Sequence, residues 1–429
     1  MQNSKIKTAG NKKLSQKGQA LLAGLLLFAA GTGVLLSGLG YAQTKDVNDV
    51  RVSSISKQNF FSSESALEDS VYRLKTSNPL GATDNVSIAG SQGTASVTTT
   101  SGGEQITSLG TNNNYERNTA VTLSMGQNVL FNYGMQAGTG GISLKGGSGV
   151  YGNVYANGPI TSDWSGFVTG TAVAASTASI TGPGQNSFNI GKSGVGDAYA
   201  HKIVGVNVAG NLYCQTGSLS NKSCDTSRAD PASQNFPVSQ ADISQWESDG
   251  ASGGIIDGDE DIGTDPNTDV TLGPEEINGN LIVNSGGTLT VSGTLYVTGN
   301  VDITGDAVVN LSPSYGSHDG LIIANGTITV DTGSSVSGSG TDGSYMMLLT
   351  TSASNNAISI SGGSSAVIVN AQNGTVNITG GASAQEVEGY QINLSGGSSI
   401  TYQNGLANTI FLNGISPESY SISSWQETP

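Results

Sequence analysis

The residues best suited to chemistry form one short acidic segment, which holds Asp257, Asp259, Glu260, Asp261, Asp265 and Asp269. Alternating carboxylates suit a hard cation such as Ca²⁺, which takes about 6–8 oxygen ligands. An EF-hand loop would need a glycine where Ile262 stands and a glutamate at its twelfth position, so the segment departs from that motif. The segment therefore predicts either a Ca²⁺ site at Asp257, Asp259, Asp261, Asp265 and Asp269 or a solvated acidic loop.

Cys214 and Cys224 are the two cysteines of the chain. No histidine stands near them at ligand spacing, which argues against a zinc site. If this part of the chain is exported, its polar loop favours a disulfide, and reduced surface thiols are the alternative.

The sequence offers no clear catalytic group. Polysaccharide-cleaving β-helices need clustered carboxylates, often with a basic residue in the same groove. No Lys or Arg follows Arg228, and Asp302, Asp306 and Asp331 lie in separate repeats. A triad needs three convergent groups, and neither histidine of the chain, His201 or His318, has a nucleophile partner in view. We therefore expect a protein that is not an enzyme and that has no cofactor, unless Ca²⁺ binds as above.

An uncharged apolar run over residues 18–44 begins the element that must position the groups described above. About 20 apolar residues at ~1.5 Å rise cross a bilayer, so the run is long enough. The lysines before it should stay cytoplasmic, so that the C-terminal bulk faces outward. These are Lys5, Lys7, Lys12, Lys13 and Lys17. A secretory signal cleaved after Gly40-Tyr41-Ala42 is the alternative.

Apolar residues recur near helical period beyond the run, which predicts that one helix continues from Gln19 to Lys75. Such a helix would be roughly 85 Å long. Its row of apolar residues, here called the apolar stripe, suits a fibre in which the helices of neighbouring copies bury each other's stripes. The predicted assembly residues are Phe28, Val34, Val47, Val50, Phe60, Leu67, Val71 and Leu74.

Two motifs carry a family resemblance. Lys17-Gly18-Gln19-Ala20-Leu21-Leu22, followed by the Phe-x-x-x-Glu-x-x-Leu-Glu pattern from Phe60, resembles PilX-like minor pilins of the type IV pilin-like proteins. The resemblance implies cleavage between Gly18 and Gln19 and assembly with other pilin-like subunits. Ala23 stands where pilins of the main type carry a glutamate.

Composition indicates that the rest of the chain is β-structure. Charged residues make up 11% of the chain and glycine accounts for 62 residues, with short alternations of Val, Ile, Thr and Leu between the glycines. The net charge is −16, and phosphate binding needs clustered cations, so nucleic acid is excluded as an expected partner.

A repeated glycine corner is the strongest structural signal. The corner glycines are Gly305, Gly333, Gly362, Gly380 and Gly396. Irregular spacing around a fixed corner predicts a β-solenoid, or parallel β-helix, with loop insertions. Residues 278–411 resemble the β-helical head of some PilX-like proteins and, more loosely, bactofilin-type solenoids. The tail from Ile415 to Trp425 is predicted to cap this solenoid.

One short helix is predicted before the main repeats. Ser239 and Asp242 form a capping box, Val238 and Ile243 a hydrophobic staple, and Gly250 is expected to end the helix. Trp246 should face the solenoid.

The sequence thus predicts a mainly β protein with a long N-terminal transmembrane and amphipathic helix, a small antiparallel sheet and a β-solenoid with an inserted subdomain. The expected boundaries are a basic leader at 1–18, the helix at 19–75, the sheet at 76–126, first coils at 127–175, an insertion at 176–275, and solenoid with cap at 276–429. The favoured function is a minor or tip subunit of a type IV pilus-like filament, anchored in the cytoplasmic membrane and then displayed at the cell surface. The alternative is a secreted or anchored solenoid adhesin that binds a surface glycan.

Overall fold

The computed structural model describes residues 16–76, 83–100, 103–112, 115–124, 126–185, 187–263, 268–412 and 420–428. These residues include the α-helices α1 (Gln16–Lys75) and α2 (Gln240–Ser252) and two 3-10 helices, Pro313–Tyr315 and Asn404–Asn408. The first strands are β1 Asp84–Ile88, β2 Ser91–Thr100, β3 Gly103–Asn112, β4 Tyr115–Ser124 and β5 Gly126–Val129.

The next strands are mostly short. They are β6 Met135–Leu144, β7 Gly149–Tyr151, β8 Val154–Ala156, β9 Ile160–Ser162, β10 Phe167–Val168, β11 Ala172–Ala174, β12 Ser179–Thr181, β13 Phe188–Ile190, β14 Ala198–Tyr199, β15 Lys202–Val204, β16 Val206–Val208, β17 Leu212–Tyr213 and β18 Thr216–Ser218.

After α2 come β19 Ile255–Asp257, β20 Glu260–Ile262, β21 Asp269–Leu272, β22 Glu275–Asn278, β23 Leu281–Val283, β24 Thr288–Val291, β25 Leu295–Val297, β26 Val301–Ile303, β27 Val308–Leu311, β28 Gly320–Ala324 and β29 Ile328–Val330. The last are β30 Ser335–Ser337, β31 Met346–Thr350, β32 Ile358–Ile360, β33 Ile368–Ile378, β34 Ser383–Ala384, β35 Glu386–Leu394, β36 Ser399–Thr401, β37 Thr409–Leu412 and β38 Ser421–Thr428.

A five-stranded sheet of order β1-β2-β3-β4-β38 packs on the C-terminal half of α1. All its pairings are antiparallel, and β38 pairs with β4 so that Trp425 lies opposite Val121. The prediction that the tail caps a solenoid is therefore wrong for residues 420–428, because they complete this small sheet; residues 413–419 lie outside the described part. The helix also starts earlier than predicted, at Gln16.

Strands β6 to β18 form a first stack of parallel strands, which we call the first half-stack. Each set of two or three short strands, here called a rung, pairs with the equivalent strands of the next rung, as β8 pairs with β11 and β11 with β14. This pairing continues to β17 and β18. Residues 179–218 therefore belong to the stack, which corrects the expected insertion at 176–275.

Strands β19 to β36 form a second half-stack by the same parallel pairing. Its last rung does not end the stack. Instead β35 pairs with β6, and β36 pairs with β7, again in parallel. The two half-stacks are therefore continuous, and the rung that the chain forms first lies in the middle.

Residues 219–254 connect the two outer ends of this stack and include α2. The predicted capping box is confirmed, because the Ser239 side chain accepts a hydrogen bond from the Asp242 backbone and the Asp242 side chain accepts one from the Ser239 backbone. Trp246 and Ile243 are both buried, as predicted. Gly250 does not end the helix, which runs on to Ser252 with Gly253 as its C-cap.

The interior of the stack is a narrow column of Val, Ile, Leu and Ala side chains that point inward from successive rungs. The five predicted corner glycines all have positive φ, with values between 63° and 76°. At Gly362, for example, a Cβ would also meet the backbone of Thr332 in the neighbouring rung. Glycine is favoured there because the left-handed backbone disfavours a side chain.

Candidate functional site

The N-terminal half of α1 is exposed and apolar. The side chains of Phe28, Val34, Val47 and Val50 are all exposed, and Val50 is 70% accessible. The helix is long and apolar enough to cross a membrane. The structure therefore leaves four of the predicted assembly residues without cover from the described part of the chain.

The C-terminal half of the same helix is covered by the small sheet. Leu67 and Val71 are buried against Ile106 and Val121, and Leu74 packs at the edge of this cluster. Phe60 is half-buried beside Phe61. The predicted stripe is thus divided, since one part stabilises the single chain and the other part is open to a partner.

Helix and sheet approach each other closely at two glycines that sequence analysis did not single out. A Cβ at Gly93 would overlap the carbonyl of Ser62, and a Cβ at Gly110 would overlap that of Asn59. The Ser63 hydroxyl donates a 2.8 Å hydrogen bond to the Ser108 carbonyl across this contact. Buried polar groups need such partners, so this contact orients the helix on the sheet.

The predicted cleavage point, Gly18 and Gln19, lies inside α1 near its start at Gln16. Cleavage between these residues remains a prediction.

An antiparallel ribbon of β5 and β37 joins the small sheet to the stack. Asp319 holds this ribbon: its carboxylate accepts hydrogen bonds from the backbone N–H groups of Tyr345 (2.7 Å) and Ile410 (2.6 Å). Burial raises the pKa of Asp319 to about 7, and the two backbone donors oppose that rise.

One outer row of the first half-stack binds the returning segment 228–235. In the strand register this row runs from Tyr213 through Tyr199 to Tyr155 and Gln136, with Val173 between the last two tyrosines. Tyr199 donates its hydroxyl hydrogen to the Ala229 carbonyl, and Tyr155 donates to that of Ala232.

Further contacts of the same kind continue along the segment. The Arg228 guanidinium lies 3.8 Å from the centre of the Tyr213 ring, and Gln136 donates a 2.8 Å hydrogen bond to the Asn235 carbonyl. The sequence showed no partner for His201, but in the structure its Nδ1 lies 2.8 Å from the Asp230 carboxylate. The Nδ1 atom of His318 lies 3.1 Å from the carbonyl oxygen of Tyr315. Neither histidine is shown beside a nucleophile.

Two glutamates are buried where the second half-stack meets the first. Glu386 and Glu388 are each 1% exposed, and Asn370 donates a hydrogen bond to the Glu388 carboxylate. Burial raises the pKa of both well above its usual range, and the charge of Glu388 raises that of Glu386 further. No Lys or Arg follows Arg228, so the second half-stack offers neither of these cations to neutralise them. Burial therefore disfavours the charged form of both carboxyl groups.

Cys214 and Cys224 form a disulfide, with sulfurs 1.96 Å apart. Cys214 belongs to the apolar column at its outermost rung, and Gly217 lies against both sulfur atoms. The bridge therefore covers one end of the column, which gives the predicted disulfide a structural role.

The structure does not gather the predicted metal ligands. Asp257, Asp259 and Asp261 each accept a hydrogen bond from an asparagine side chain of the following rung, at 3.3, 2.9 and 3.2 Å. Within the described residues no group of three His, Cys, Asp or Glu side chains is placed to hold a metal, and Asp265 lies outside them. Asp269 begins β21. Calorimetry on EDTA-treated protein tests Ca²⁺ binding here. The absence of a saturable heat of binding at millimolar Ca²⁺ would contradict a Ca²⁺ site.

Comparison with known proteins gives little to build on. No protein-family profile matches the chain, and no curated protein matches it. Among solved structures, the competence-associated pilin ComZ from Thermus thermophilus is similar at 10% identity, over 87% of this chain and 97% of that chain, with a TM-score of 0.22.

Proposed function

We propose that this chain is a pilin-like structural subunit that is inserted in the cytoplasmic membrane and then assembled, at a minor or tip position, into a thin surface filament. The observation that carries the proposal is the division of α1. One half is buried on its own sheet, and the other half exposes an apolar surface. Such a surface needs a membrane or a partner chain to cover it.

The membrane cannot cover the whole exposed surface at one time. The hydrocarbon core is about 30 Å thick, which about 20 helical residues span. A span that begins near Leu21 would leave Val47 and Val50 beyond it, in a segment that also carries Lys45, Asp46 and Arg51. Neighbouring helices would cover this outer part, and charges of both signs would permit pairing between copies.

We further propose that the parallel stack is a β-solenoid head, and that its role is display and not catalysis. Parallel rungs around one apolar column bury each other's inner faces, so the head would be rigid without a partner chain. The ribbon of β5 and β37, held by Asp319, would carry this head on the small sheet.

N-terminal sequencing of the protein from cells is the first test. An N-terminus at Gln19 supports prepilin-type processing, Gln43 supports a secreted protein, and Met1 supports a permanent anchor. Gln43 on a protein found free of the membrane would overturn the subunit proposal in favour of the adhesin alternative.

Cysteine crosslinking in intact cells is the second test. Val50→Cys should give disulfide-linked multimers in surface filaments, because Val50 lies on the uncovered part of α1. Tyr72→Cys is the matched control, since Tyr72 is also exposed but lies on the half that packs on the sheet. Multimers absent from Val50→Cys, or equal in both variants, would contradict assembly through this surface.

A further inference from the structure

We propose that the ring pair of Tyr151 and Phe167 on the outer face of the first half-stack, together with Trp164 in the corner that leads into β10, binds a neutral oligosaccharide; we call these three residues the aromatic platform. The inference rests on the proposed display function and adds the ligand class. Trp164 is 68% exposed and Tyr151 is 49% exposed. Large aromatic side chains left in water at a surface commonly mark a binding site.

The platform is built by the stacking of rungs. Phe167 of β10 lies opposite Gly149 of β7 in the register, and a Cβ at Gly149 would come within 2.6 Å of the Phe167 ring. The missing side chain lets this ring lie beside Tyr151, with ring centroids 5.3 Å apart and planes at 69°. The Trp164 ring lies against Gly184 of the following rung. Two glycines thus make room for the rings.

The corner that presents Trp164 is fixed by hydrogen bonds from both sides. The Asp163 carboxylate accepts from the backbone of Gly146 at 2.6 Å and from that of Ser165 at 2.9 Å. The Ser165 hydroxyl in turn accepts from the Gly147 backbone at 2.8 Å. The loop is therefore held before any ligand arrives, which lowers the entropy cost of binding.

The strand residues that flank the platform in the register are uncharged. Phe167 is followed in the register by Asn189 and then Asn207, whose side chains are linked by a 2.9 Å hydrogen bond. On the other side Thr401 lies opposite Tyr151. Lys145 and Asp163 lie in the adjoining corners, and the Asp163 carboxylate already accepts hydrogen bonds from the backbone N–H groups of Gly146 and Ser165. Amides and hydroxyls both donate and accept, as sugar hydroxyl groups require.

These features favour a carbohydrate over other ligands. The C–H face of a sugar ring packs on an aromatic face, where the ring quadrupole is negative. A stable protein interface would need about 800 Å² on each partner with an apolar core, which three rings among hydroxyls and amides do not provide. Nucleic acid would need clustered cations.

The test uses the full-length protein in detergent micelles on an array of cellohexaose, chitohexaose and laminarihexaose, with sulfated oligosaccharides as charged controls. We expect saturable binding to at least one neutral hexasaccharide and none that depends on sulfate. Trp164→Ala and Tyr151→Ala should each weaken it at least about tenfold, since stacking contacts of this size contribute ~1.4 kcal/mol or more. Tyr390→Ala is the matched control, because Tyr390 is 45% exposed on β35, away from the platform, and should bind as the unaltered protein does.

No binding to any neutral hexasaccharide would overturn the proposal, as would equal loss in Tyr390→Ala. Binding that depends on sulfate would also overturn it. Unfolding temperatures of the variants, measured in parallel, separate lost binding from lost folding. Filament incorporation of Trp164→Ala, measured by crosslinking in cells, should be unchanged. If the unaltered protein is not incorporated into filaments, the subunit proposal is contradicted. The array result alone would then decide whether the platform binds an oligosaccharide.

Discussion

Leu412 lies directly opposite Gly126 in an antiparallel pair, so the strand that leaves the stack runs back beside the strand that leads into it. A Cβ at Gly126 would overlap the Phe411 carbonyl, which shows how closely the two strands approach. The small sheet continues this relationship, because Ser421 lies opposite Ser124. The whole stack is thus inserted between two neighbouring strands of one sheet.

Removal of residues 420–429 should therefore damage the small sheet and spare the stack. β4 would keep β3 but lose its other neighbour, β38, and its unpaired edge would expose backbone N–H and C=O groups. Hydrogen exchange should speed up over residues 115–124 and stay slow over 281–303. Equal loss of protection in both regions would mean that the last strand also supports the stack. Replacing the exposed Gln426 alone by Ala is the control and should change neither region.

Loss of the disulfide should destabilise the outermost rung of the first half-stack. The bridge closes a loop with a sequence separation of 10, for which loop entropy gives about 2–4 kcal/mol. Cys214→Ser with Cys224→Ser should lower the unfolding temperature and speed exchange over residues 212–218. Adding a reductant to the unaltered protein should reproduce the effect, and the double variant should not respond to it. An unchanged unfolding temperature would contradict a structural role for the bridge.

The double variant Glu386→Gln, Glu388→Gln should remove a pH dependence of stability. Both pKa values are raised on folding, so the folded chain holds protons that the unfolded chain releases above about pH 4.3. The resulting stabilisation is complete below that pH and is lost as pH rises through the raised values. Gln keeps an acceptor for Asn370 and cannot ionise.

The measurement is the unfolding temperature between about pH 5 and pH 9, where the unaltered protein should lose stability that the double variant retains. The difference should reach a few degrees at the alkaline end, since 1 kcal/mol corresponds to about 2–4 °C in a domain of 150–250 residues. Glu276→Gln, at a half-buried position on β22, is the control and should follow the unaltered protein. Parallel curves for all three proteins would refute the buried acid pair as the cause.

Substitutions in the two halves of α1 should separate assembly from folding. Val50→Asp should leave the unfolding temperature unchanged, because Val50 is exposed. It should prevent incorporation into filaments, because the proposed assembly would bury the new carboxylate between helices. Leu67→Ala should instead lower stability by about 2–5 kcal/mol, the usual cost of emptying a buried leucine site. Calorimetry and crosslinking of the same two variants check this. A drop in stability for Val50→Asp would show that this half is also covered within one chain.

The sequence predicted features that depend on local chemistry. The corner glycines and the capping box at Ser239 were found because positive φ and helix capping each restrict the residue type at one position. The helix end near Gly250 was misplaced because a glycine packed against Tyr296 looks the same in sequence as a glycine that ends a helix.

Long-range order could not be predicted in the same way. Each repeat carries the same corner, so nothing in Leu394 or Leu144 indicates that their strands lie side by side. The alternating residues of β38 suit a solenoid cap and a sheet edge equally well. The buried pair Glu386 and Glu388 was missed because glutamate is seldom found fully buried without a basic partner.

The pairing of β35 with β6 has a consequence for how the protein matures. The rung that contains β6 emerges early in synthesis, and its second neighbour, β35, emerges near the end. The first half-stack must therefore keep one strand edge unpaired, and open to incorrect pairing, until most of the chain has been synthesised. Closing so distant a contact is slow, because the loop entropy is lost before the contact forms. We expect that synthesis of the last rung, and not the formation of single rungs, sets the time at which the stack becomes complete.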